Sequence, residues 1–408
     1  MEYVIIGNST AGIAAAEHIR AIDKKGKITI LSDEAYHTYG RPLISYYLLG
    51  KTDAEHMKYR PADFYEKNNI NTLFSVRAER IDAEKKQVYL QGGKKLKYDK
   101  LLVATGSRPF IPPMAGLEKV PYFTFMTYAD ALALEKQLSS EKRVLIVGAG
   151  LIGLKCLEGI ADRVKSVAVV DMAKHILPSI LDEYGASLVQ IQLEKHGAEF
   201  YLSDSVSSFE EGCALLKSGA RVPFDILVVA AGVRPNVELV RDAGGKVGRG
   251  ILTDDRQETS LKDVYAAGDC TESFDITCNQ SRILALLPNA QFQGACAGEN
   301  MAGGEAHFTN AVPMNAIGFF GSHVLTAGSY TGETYEEKKG DTYKKLFFDG
   351  DKLNGFILID LPERAGIYTS LLRNRTPLSQ VDFEAIKKDP GLMAFSAAYR
   401  EQKLARRV

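Results

Sequence analysis

The chain contains one structural unit twice: an apolar strand, a glycine-rich turn, a helix, and a second strand that ends in an acidic residue. The first copy spans residues 3–34 and the second spans residues 144–171. A turn of this kind lets a phosphate approach the backbone N–H groups at a helix N-terminus, and such units build parallel nucleotide-binding sheets. The duplication therefore predicts two nucleotide-binding domains in one chain.

A second pair of similar segments indicates how the two domains are connected. Residues 101–109 and 227–235 are both apolar strands that break at a glycine and continue to Arg-Pro, so each would close one domain. The chain then returns to the first domain through residues 264–269. The second domain is therefore predicted to be inserted in the first.

The predicted fold class is α/β, with two Rossmann-like dinucleotide-binding domains and a smaller C-terminal α+β domain. The first domain comprises residues 1–110 and 250–312, and the inserted domain comprises residues 111–249. From residue 313 onward Phe and Tyr alternate with polar residues, and a turn at residues 349–351 predicts an antiparallel hairpin.

The first glycine-rich turn runs from Gly7 to Gly12 and carries Ser9 where the middle glycine usually stands. Small residues are needed here because the backbone must approach a pyrophosphate closely. A carboxylate at the end of the following strand would accept hydrogen bonds from a ribose. Asp33 and Glu34 both lie at that point, and the sequence does not choose between them.

The second turn is complete, with glycines at positions 148, 150 and 153. Asp171 stands at the end of the next strand, where a carboxylate binds the ribose 2′-hydroxyl and repels a 2′-phosphate. The sequence thus favours NAD over NADP, although the basic residues Lys174 and His175 follow closely and weaken that preference.

Composition argues against several other kinds of function. The net charge is −1, which indicates neither a nucleic-acid partner nor a membrane surface. The seven histidines and five cysteines show no metal-ligand spacing, so no metal site is predicted. Without a secretion signal or a long apolar run, we expect a cytoplasmic protein.

The order of these motifs resembles that of the FAD/NAD-linked reductases in the flavoprotein superfamily with two dinucleotide-binding domains, and the resemblance covers nearly the whole chain. Residues 39–45, with the sequence YGRPLIS, are similar to the YxRPxxS segment of particular members. These members are rubredoxin reductases, ferredoxin reductases of oxygenase systems, and the flavoprotein part of NADH-dependent nitrite reductase. The resemblance implies that the cofactors are FAD and NAD(H).

The resemblance also implies which residues contact each cofactor. For FAD they are Gly7, Ser9, Thr10, Ala11, Gly12, Asp33, Glu34, Arg41, Pro42, Val76, Ala104, Thr105, Gly106, Arg108, Gly268, Asp269 and Gln293. For NAD they are Gly148, Gly150, Leu151, Ile152, Gly153, Asp171 and Gly232. Among these, Val76 would back the adenine, and Asp269 would bind the ribityl chain.

The chain lacks the redox-active cysteines of many members of this superfamily. Disulfide reductases carry a CxxxxC pair, and peroxidases and oxidases carry one cysteine near the YxRP segment, whereas residues 1–155 contain no cysteine. A thiolate cannot serve as a second redox centre where no sulfur exists. Hydride from NADH would therefore reach FAD, and electrons would then leave singly for a small iron or iron–sulfur protein of the rubredoxin or ferredoxin type.

Three alternatives remain at this point. The first is an NADH oxidase that uses oxygen or peroxide, and the second is a flavoprotein subunit of a larger metalloenzyme, as in nitrite reductase. The third is a redox sensor that binds both cofactors without turnover. A homodimer is also compatible with the sequence, and the basic residues Lys403, Arg406 and Arg407 form either a solvated helix end or a patch for an acidic partner.

No catalytic residue is assigned with certainty, because the flavin itself carries the chemistry. Relatives often place Lys after the YxRPxxS segment and Glu two residues beyond the third glycine of the NAD turn, and the resemblance implies that these form an ion pair beside the flavin. Here the two positions hold Tyr46 and Lys155. Lys155 is therefore expected either to lie as an unpaired cation near the ring, where it would favour the anionic reduced flavin, or to point to solvent.

Overall fold

The computed structural model describes residues 1–396 and residue 400. The helices are α1 Thr10–Ile22, α2 Ile44–Leu48, α3 Phe64–Lys67, α4 Tyr128–Glu135, α5 Leu151–Ile160, α6 Glu183–Lys195, α7 Glu238–Asp242, α8 Leu287–Met301, α9 Ala365–Arg373 and α10 Phe383–Lys388.

The strands are β1 Glu2–Ile6, β2 Lys27–Leu31, β3 Ile70–Leu73, β4 Ala78–Asp82, β5 Gln87–Leu90, β6 Lys95–Lys97, β7 Lys100–Val103, β8 Ser107–Pro109, β9 Arg143–Val147, β10 Ser166–Asp171, β11 Ala198–Leu202, β12 Val206–Glu210, β13 Cys213–Leu216, β14 Arg221–Pro223, β15 Ile226–Val229, β16 Val233–Pro235, β17 Val264–Ala266, β18 Ser273–Asp275, β19 Gln280–Arg282, β20 Met314–Phe319, β21 Ser322–Gly328, β22 Glu333–Lys339, β23 Thr342–Asp349 and β24 Lys352–Ile359.

The chain divides into two compact units. The first comprises residues 1–172, 197–274 and 281–309, and the second comprises residues 173–196, 275–280 and the chain from residue 310 onward. Each unit combines parts of different predicted domains, so the boundaries at 110, 249 and 312 stay predictions.

The first unit contains two parallel sheets, which confirms the predicted Rossmann-like fold class. One sheet has the strand order β17-β7-β1-β2-β3, and the other has the order β11-β10-β9-β15. Strand β1 is buried after its first residue, and β15 is buried throughout, as expected for parallel strands that are covered on both faces. Helices α1 and α5 each follow the first strand of a duplicated unit.

The two segments that end in Arg-Pro form a small sheet of their own. Strands β8 and β16 pair in antiparallel register, with Arg108 opposite Arg234. Two further antiparallel sheets, with the orders β4-β5-β6 and β12-β13-β14, are each formed by residues that lie in the chain between strands of one parallel sheet. The repeated segments are therefore neighbours in space as well as similar in sequence.

The second unit contains an antiparallel five-stranded sheet with the order β20-β21-β24-β23-β22. The predicted hairpin is confirmed, since β23 and β24 pair in antiparallel register across the turn that follows Asp349. The apolar side of helix α9 packs on this sheet through Tyr368, Leu371 and Leu372.

Two further features predicted from the sequence concern membrane-spanning segments and the basic residues near the C-terminus. Among the described residues, none of the helices combines the length and apolarity that crossing a lipid bilayer requires. The predicted basic patch at Lys403, Arg406 and Arg407 lies outside the described residues.

Candidate functional site

A cavity of about 940 Å³ opens at the carboxyl ends of β1, β2, β7 and β17 in the first unit. This edge of a parallel sheet is where nucleotides bind in such folds, and the volume suits a large organic cofactor. Most of the predicted FAD residues line it, namely Gly7, Ser9, Thr10, Ala11, Asp33, Glu34, Arg41, Val76, Ala104, Thr105, Gly106, Arg108, Gly268 and Asp269. Gly12, Pro42 and Gln293 are absent from the lining.

Gly12 does not line the cavity, but it allows the close packing of the first glycine-rich turn. A Cβ atom at Gly12 would lie 2.0 Å from the carbonyl oxygen of Gly7, and one at Gly7 would lie 2.1 Å from the oxygen of Ala104. Gly7 also has a φ of 128°, which an L-residue rarely adopts. These two glycines therefore let α1 begin close to β1 and β7, which leaves Ser9 at its N-cap.

Gln293 supports the cavity from behind as well. Its Oε1 accepts a hydrogen bond of 2.8 Å from the N–H of Gly268, and its Nε2 donates to the hydroxyls of Thr271 and Ser273 at 2.9 and 2.6 Å. Because Gln293 is only 2% exposed, these bonds fix the turn that presents Asp269. Loss of hydration raises the pKa of Asp269, while the nearby Arg41 opposes that rise.

Arg41 is held by a network that crosses from the YGRP segment to the start of α4. Its Nη2 forms an ion pair with Glu34, and its Nη1 donates to the carbonyl oxygen of Met126 at 3.1 Å. The hydroxyl of Tyr39 donates to Glu34 at 2.7 Å and accepts from the N–H of Tyr128 at 2.9 Å. Pro42 follows in a short 3₁₀ helix over Arg41–Leu43.

Sequence reasoning missed several residues of the cavity wall. They include Asn8, Tyr36, His37, Ser107, Met126, Thr127, Asn236, Glu238 and Leu239. The Nε2 atom of His37 is buried with no hydrogen-bond partner among the described residues, and His37 lines the cavity, so this atom suits a polar group of a cofactor. Asn236 exchanges hydrogen bonds with Thr105, at 2.8 and 2.9 Å, across 131 residues of sequence.

The second glycine-rich turn repeats the geometry of the first. A Cβ atom at Gly153 would lie 2.0 Å from the oxygen of Gly148, and one at Gly148 would lie 2.3 Å from the oxygen of Ala230. Gly150 has open space around it and is the N-cap of α5. The same packing therefore positions both turns for close approach of a pyrophosphate.

The remaining predicted NAD residues surround this turn. Leu151 and Ile152 begin α5, and Leu151 is exposed. Asp171 ends β10, and its carboxylate accepts a hydrogen bond of 2.6 Å from the N–H of Ala149 within the turn. Gly232 follows β15 with a φ of 106°, which favours glycine.

The expectation that Lys155 is an unpaired cation is wrong. Its Nζ forms an ion pair with Glu158, one helical turn further along α5, and lies 4.7 Å from the ring centroid of Tyr46. The carboxylate of Glu158 is almost fully buried, with 4% of its side chain exposed, so it needs a cation to balance it. Lys155 and Tyr46 do lie together, but the lysine charge is already neutralised.

The cysteines nearest the motifs are packed and protonated. The thiol of Cys270 donates to the carbonyl oxygens of Val103 and Ala267 at 3.5 and 3.4 Å, and burial raises its pKa to about 11. Burial also raises the pKa of Cys156, and it raises that of Cys296 to about 11. Cys270 is therefore a packing residue in the segment that follows β17. Within residues 1–396, no group of three or more His, Cys, Asp or Glu could hold a metal ion.

Comparison with protein families and relatives gives consistent matches. A sequence model described as pyridine nucleotide-disulphide oxidoreductase matches residues 1–294. The chain is 30% identical to the epsilon subunit of NADH-dependent phenylglyoxylate dehydrogenase from Aromatoleum evansii, over 93% of both chains. It is also 30% identical to NADH-rubredoxin oxidoreductase from Clostridium acetobutylicum, over 80% of this chain and 81% of that relative.

One relative is much longer than the chain. The assimilatory nitrate reductase electron transfer subunit of Bacillus subtilis is 31% identical over 91% of the chain, which spans only 49% of that relative. Among solved structures, the reductase in the covalent putidaredoxin reductase–putidaredoxin complex matches with a TM-score of 0.88 over 99% of this chain and 98% of that chain. At 24% identity, this last match shows the fold alone.

Proposed function

The chain belongs to the pyridine nucleotide-disulphide oxidoreductase family, and we propose that it transfers electrons from NADH through FAD to a small iron or iron–sulfur protein of the rubredoxin or ferredoxin type. It is an oxidoreductase. The two cofactors predicted from the glycine-rich turns, FAD and NAD(H), are confirmed by the family and its members.

One observation carries the proposal. Residues 1–155, which supply the redox cysteines in many relatives, contain no cysteine, and Cys270 is buried and held protonated. Flavin can accept a hydride and release electrons singly, so it can serve as the sole electron store. Because residues 1–155 can form neither a disulfide nor a sulfenic acid for the flavin to reduce, we infer that the electrons leave for an acceptor outside the chain.

The residues of the chain then act by binding and orientation. The turn at Gly7–Gly12 would hold the FAD pyrophosphate at the N-terminus of α1, and Arg41 would supply positive charge beside it. The turn at Gly148–Gly153 would hold NADH in the same way. Asp171 would accept from the ribose 2′-hydroxyl of NADH and repel the phosphate of NADPH, in place of its present bond to Ala149.

A small redox protein is the partner class that two comparisons favour. One relative is named NADH-rubredoxin oxidoreductase, and one structural neighbour was solved in a complex with putidaredoxin. The test is anaerobic: the flavoprotein is bleached with NADH and then offered rubredoxin, ferredoxin, a quinone or oxygen. Rapid reoxidation by rubredoxin or ferredoxin supports the proposal. Reoxidation by oxygen alone, with oxygen uptake equal to NADH loss, would instead identify an NADH oxidase.

A second candidate function is that of an electron-transfer subunit in a larger enzyme. The relative from Aromatoleum evansii is a subunit, and the chain matches it over nearly its full length. Co-purification of the natively expressed chain with a metal-bearing protein, in fixed ratio, supports this candidate. Elution as a monomer or homodimer that still reduces a free carrier protein contradicts it.

A further inference from the structure

Asp33 and Glu34 are neighbours at the end of β2, yet their surroundings differ. Both line the cavity, but Asp33 is exposed, whereas 17% of the Glu34 side chain is exposed. The backbone on either side of Asp33 is bonded to the segment that the family resemblance places behind the adenine. The N–H of Val76 donates to the carbonyl oxygen of Ser32 at 2.8 Å, and the N–H of Ser75 donates to that of Glu34 at 3.2 Å. Asp33 is therefore held at the adenosine end of the cavity.

Glu34 uses both carboxylate oxygens within the protein. One oxygen accepts from the hydroxyl of Tyr39, and the other is paired with Arg41. Tyr39 and Arg41 in turn bond to the backbone of Tyr128 and Met126, so both are fixed from two sides. We call these five residues the arginine clamp.

The clamp leaves Glu34 little capacity for a ligand. To bind a ribose, Glu34 would have to give up a charge-assisted bond. Arg41, whose side chain is 33% exposed, would then lose its paired carboxylate. Within the described part of the chain, Arg41 donates from Nη2 to Glu34 and from Nη1 to Met126, so its other N–H groups can bind an anion in the cavity. Asp269 lies close enough to interact with the same guanidinium.

We propose that Glu34 is a positioning residue that acts on FAD only through Arg41, which leaves Asp33 as the ribose-binding acid expected at the end of β2. The inference rests on FAD binding at this cavity and deepens it by separating the two acids. Asp33 binds the nucleoside through its own oxygens. Glu34 orients the guanidinium that meets the phosphate groups.

A double-mutant cycle on the holoprotein tests this division. The rate of FAD release after dilution is followed by the rise in flavin fluorescence for Asp33→Asn, Glu34→Gln, Arg41→Met and the two double variants that include Arg41→Met. Each single change should speed FAD release about tenfold or more. Asp33→Asn and Arg41→Met each remove a charge-assisted hydrogen bond to FAD, and Glu34→Gln removes the charge-assisted bond that holds Arg41. In the Arg41→Met background, Glu34→Gln should add less than about twofold, while Asp33→Asn keeps its full factor.

The opposite pattern overturns the proposal. If Glu34→Gln speeds release by the same factor with and without Arg41, Glu34 contacts the cofactor itself. If Asp33→Asn leaves release unchanged, Asp33 is not the ribose acid. Should Arg41→Met fail to fold, Tyr39→Phe serves as a milder substitute, since it removes one bond to Glu34 and keeps the ring.

Visible circular dichroism of the bound flavin separates positioning from a loss of fold. At saturating FAD, Glu34→Gln and Arg41→Met should change the flavin band in the same way, and Asp33→Asn should leave it as in the wild type. If the variants only had a general structural defect, their melting temperatures would fall and the flavin bands of Glu34→Gln and Arg41→Met would not change in the same way. That result would contradict the proposal. Different band changes for Glu34→Gln and Arg41→Met would contradict action through Arg41.

Discussion

The packing of the second glycine-rich turn makes a quantitative prediction for Gly153→Ala. The added methyl carbon would lie 2.0 Å from the oxygen of Gly148, whereas real Cβ contacts essentially never fall under 3.0 Å. Helix α5 must therefore shift from the turn by about 1 Å, and a misplacement of that size costs about 10²-fold in rate. This loss corresponds to about 2.7 kcal/mol of activation free energy for hydride transfer.

The assay is anaerobic stopped-flow bleaching of the flavin at saturating NADH. Gly153→Ala should retain FAD and bleach about 10²-fold more slowly, because the FAD turn is untouched. The reciprocal variant Gly12→Ala, with a Cβ contact of 2.0 Å to Gly7, should instead lose FAD. Gly366→Ala is the neutral control, since open space surrounds that position on α9. Wild-type bleaching by Gly153→Ala would refute the packing argument.

Three further predictions follow from contacts around the site. Lys155→Met removes the cation paired with the buried Glu158 carboxylate and should lower the flavin midpoint potential, whereas Glu158→Gln removes the carboxylate paired with Lys155 and should raise it. Shifts of the same sign in a redox titration would contradict this. Gln293→Leu removes the hydrogen bond from Gly268 and should lower the free energy of unfolding by about 1–3 kcal/mol in a denaturant titration. Unchanged stability would show that Gln293 does not hold the Gly268 turn. Iodoacetamide at pH 8 should leave activity intact because the pKa of Cys270 is about 11 and its thiolate is scarce, whereas inactivation that tracks alkylation of Cys270 would contradict its burial.

The parts of the site that were predictable from sequence are local. The turns at Gly7–Gly12 and Gly148–Gly153 could be found because a phosphate-binding turn, its strand and its helix are contiguous, and the chain contains the pattern twice. The fold class followed from the same duplication. An acid at the end of the second strand was also predicted, but distinguishing Asp33 from Glu34 requires contacts with residues such as Met126 and Tyr128 that are distant in sequence.

The arginine clamp could not be predicted from the sequence because its residues are brought together only by the tertiary structure. Arg41 and Met126 are 85 residues apart, and the bond between them uses a backbone carbonyl that has no sequence signature. The partner of Lys155 was different, since Glu158 lies three residues away on a predicted helix, where side chains of opposite charge meet. That pairing could have been predicted from helical spacing alone.

The central claim is that the flavin is the only internal electron store of this chain. Anaerobic titration of the purified flavoprotein with NADH measures that capacity directly, with absorbance of the oxidised flavin as the signal. We expect complete bleaching at one NADH per flavin, without a long-wavelength band from a thiolate beside the ring. A requirement for two NADH per flavin, or the appearance of such a band, would show that a cysteine pair shares the electrons with the flavin.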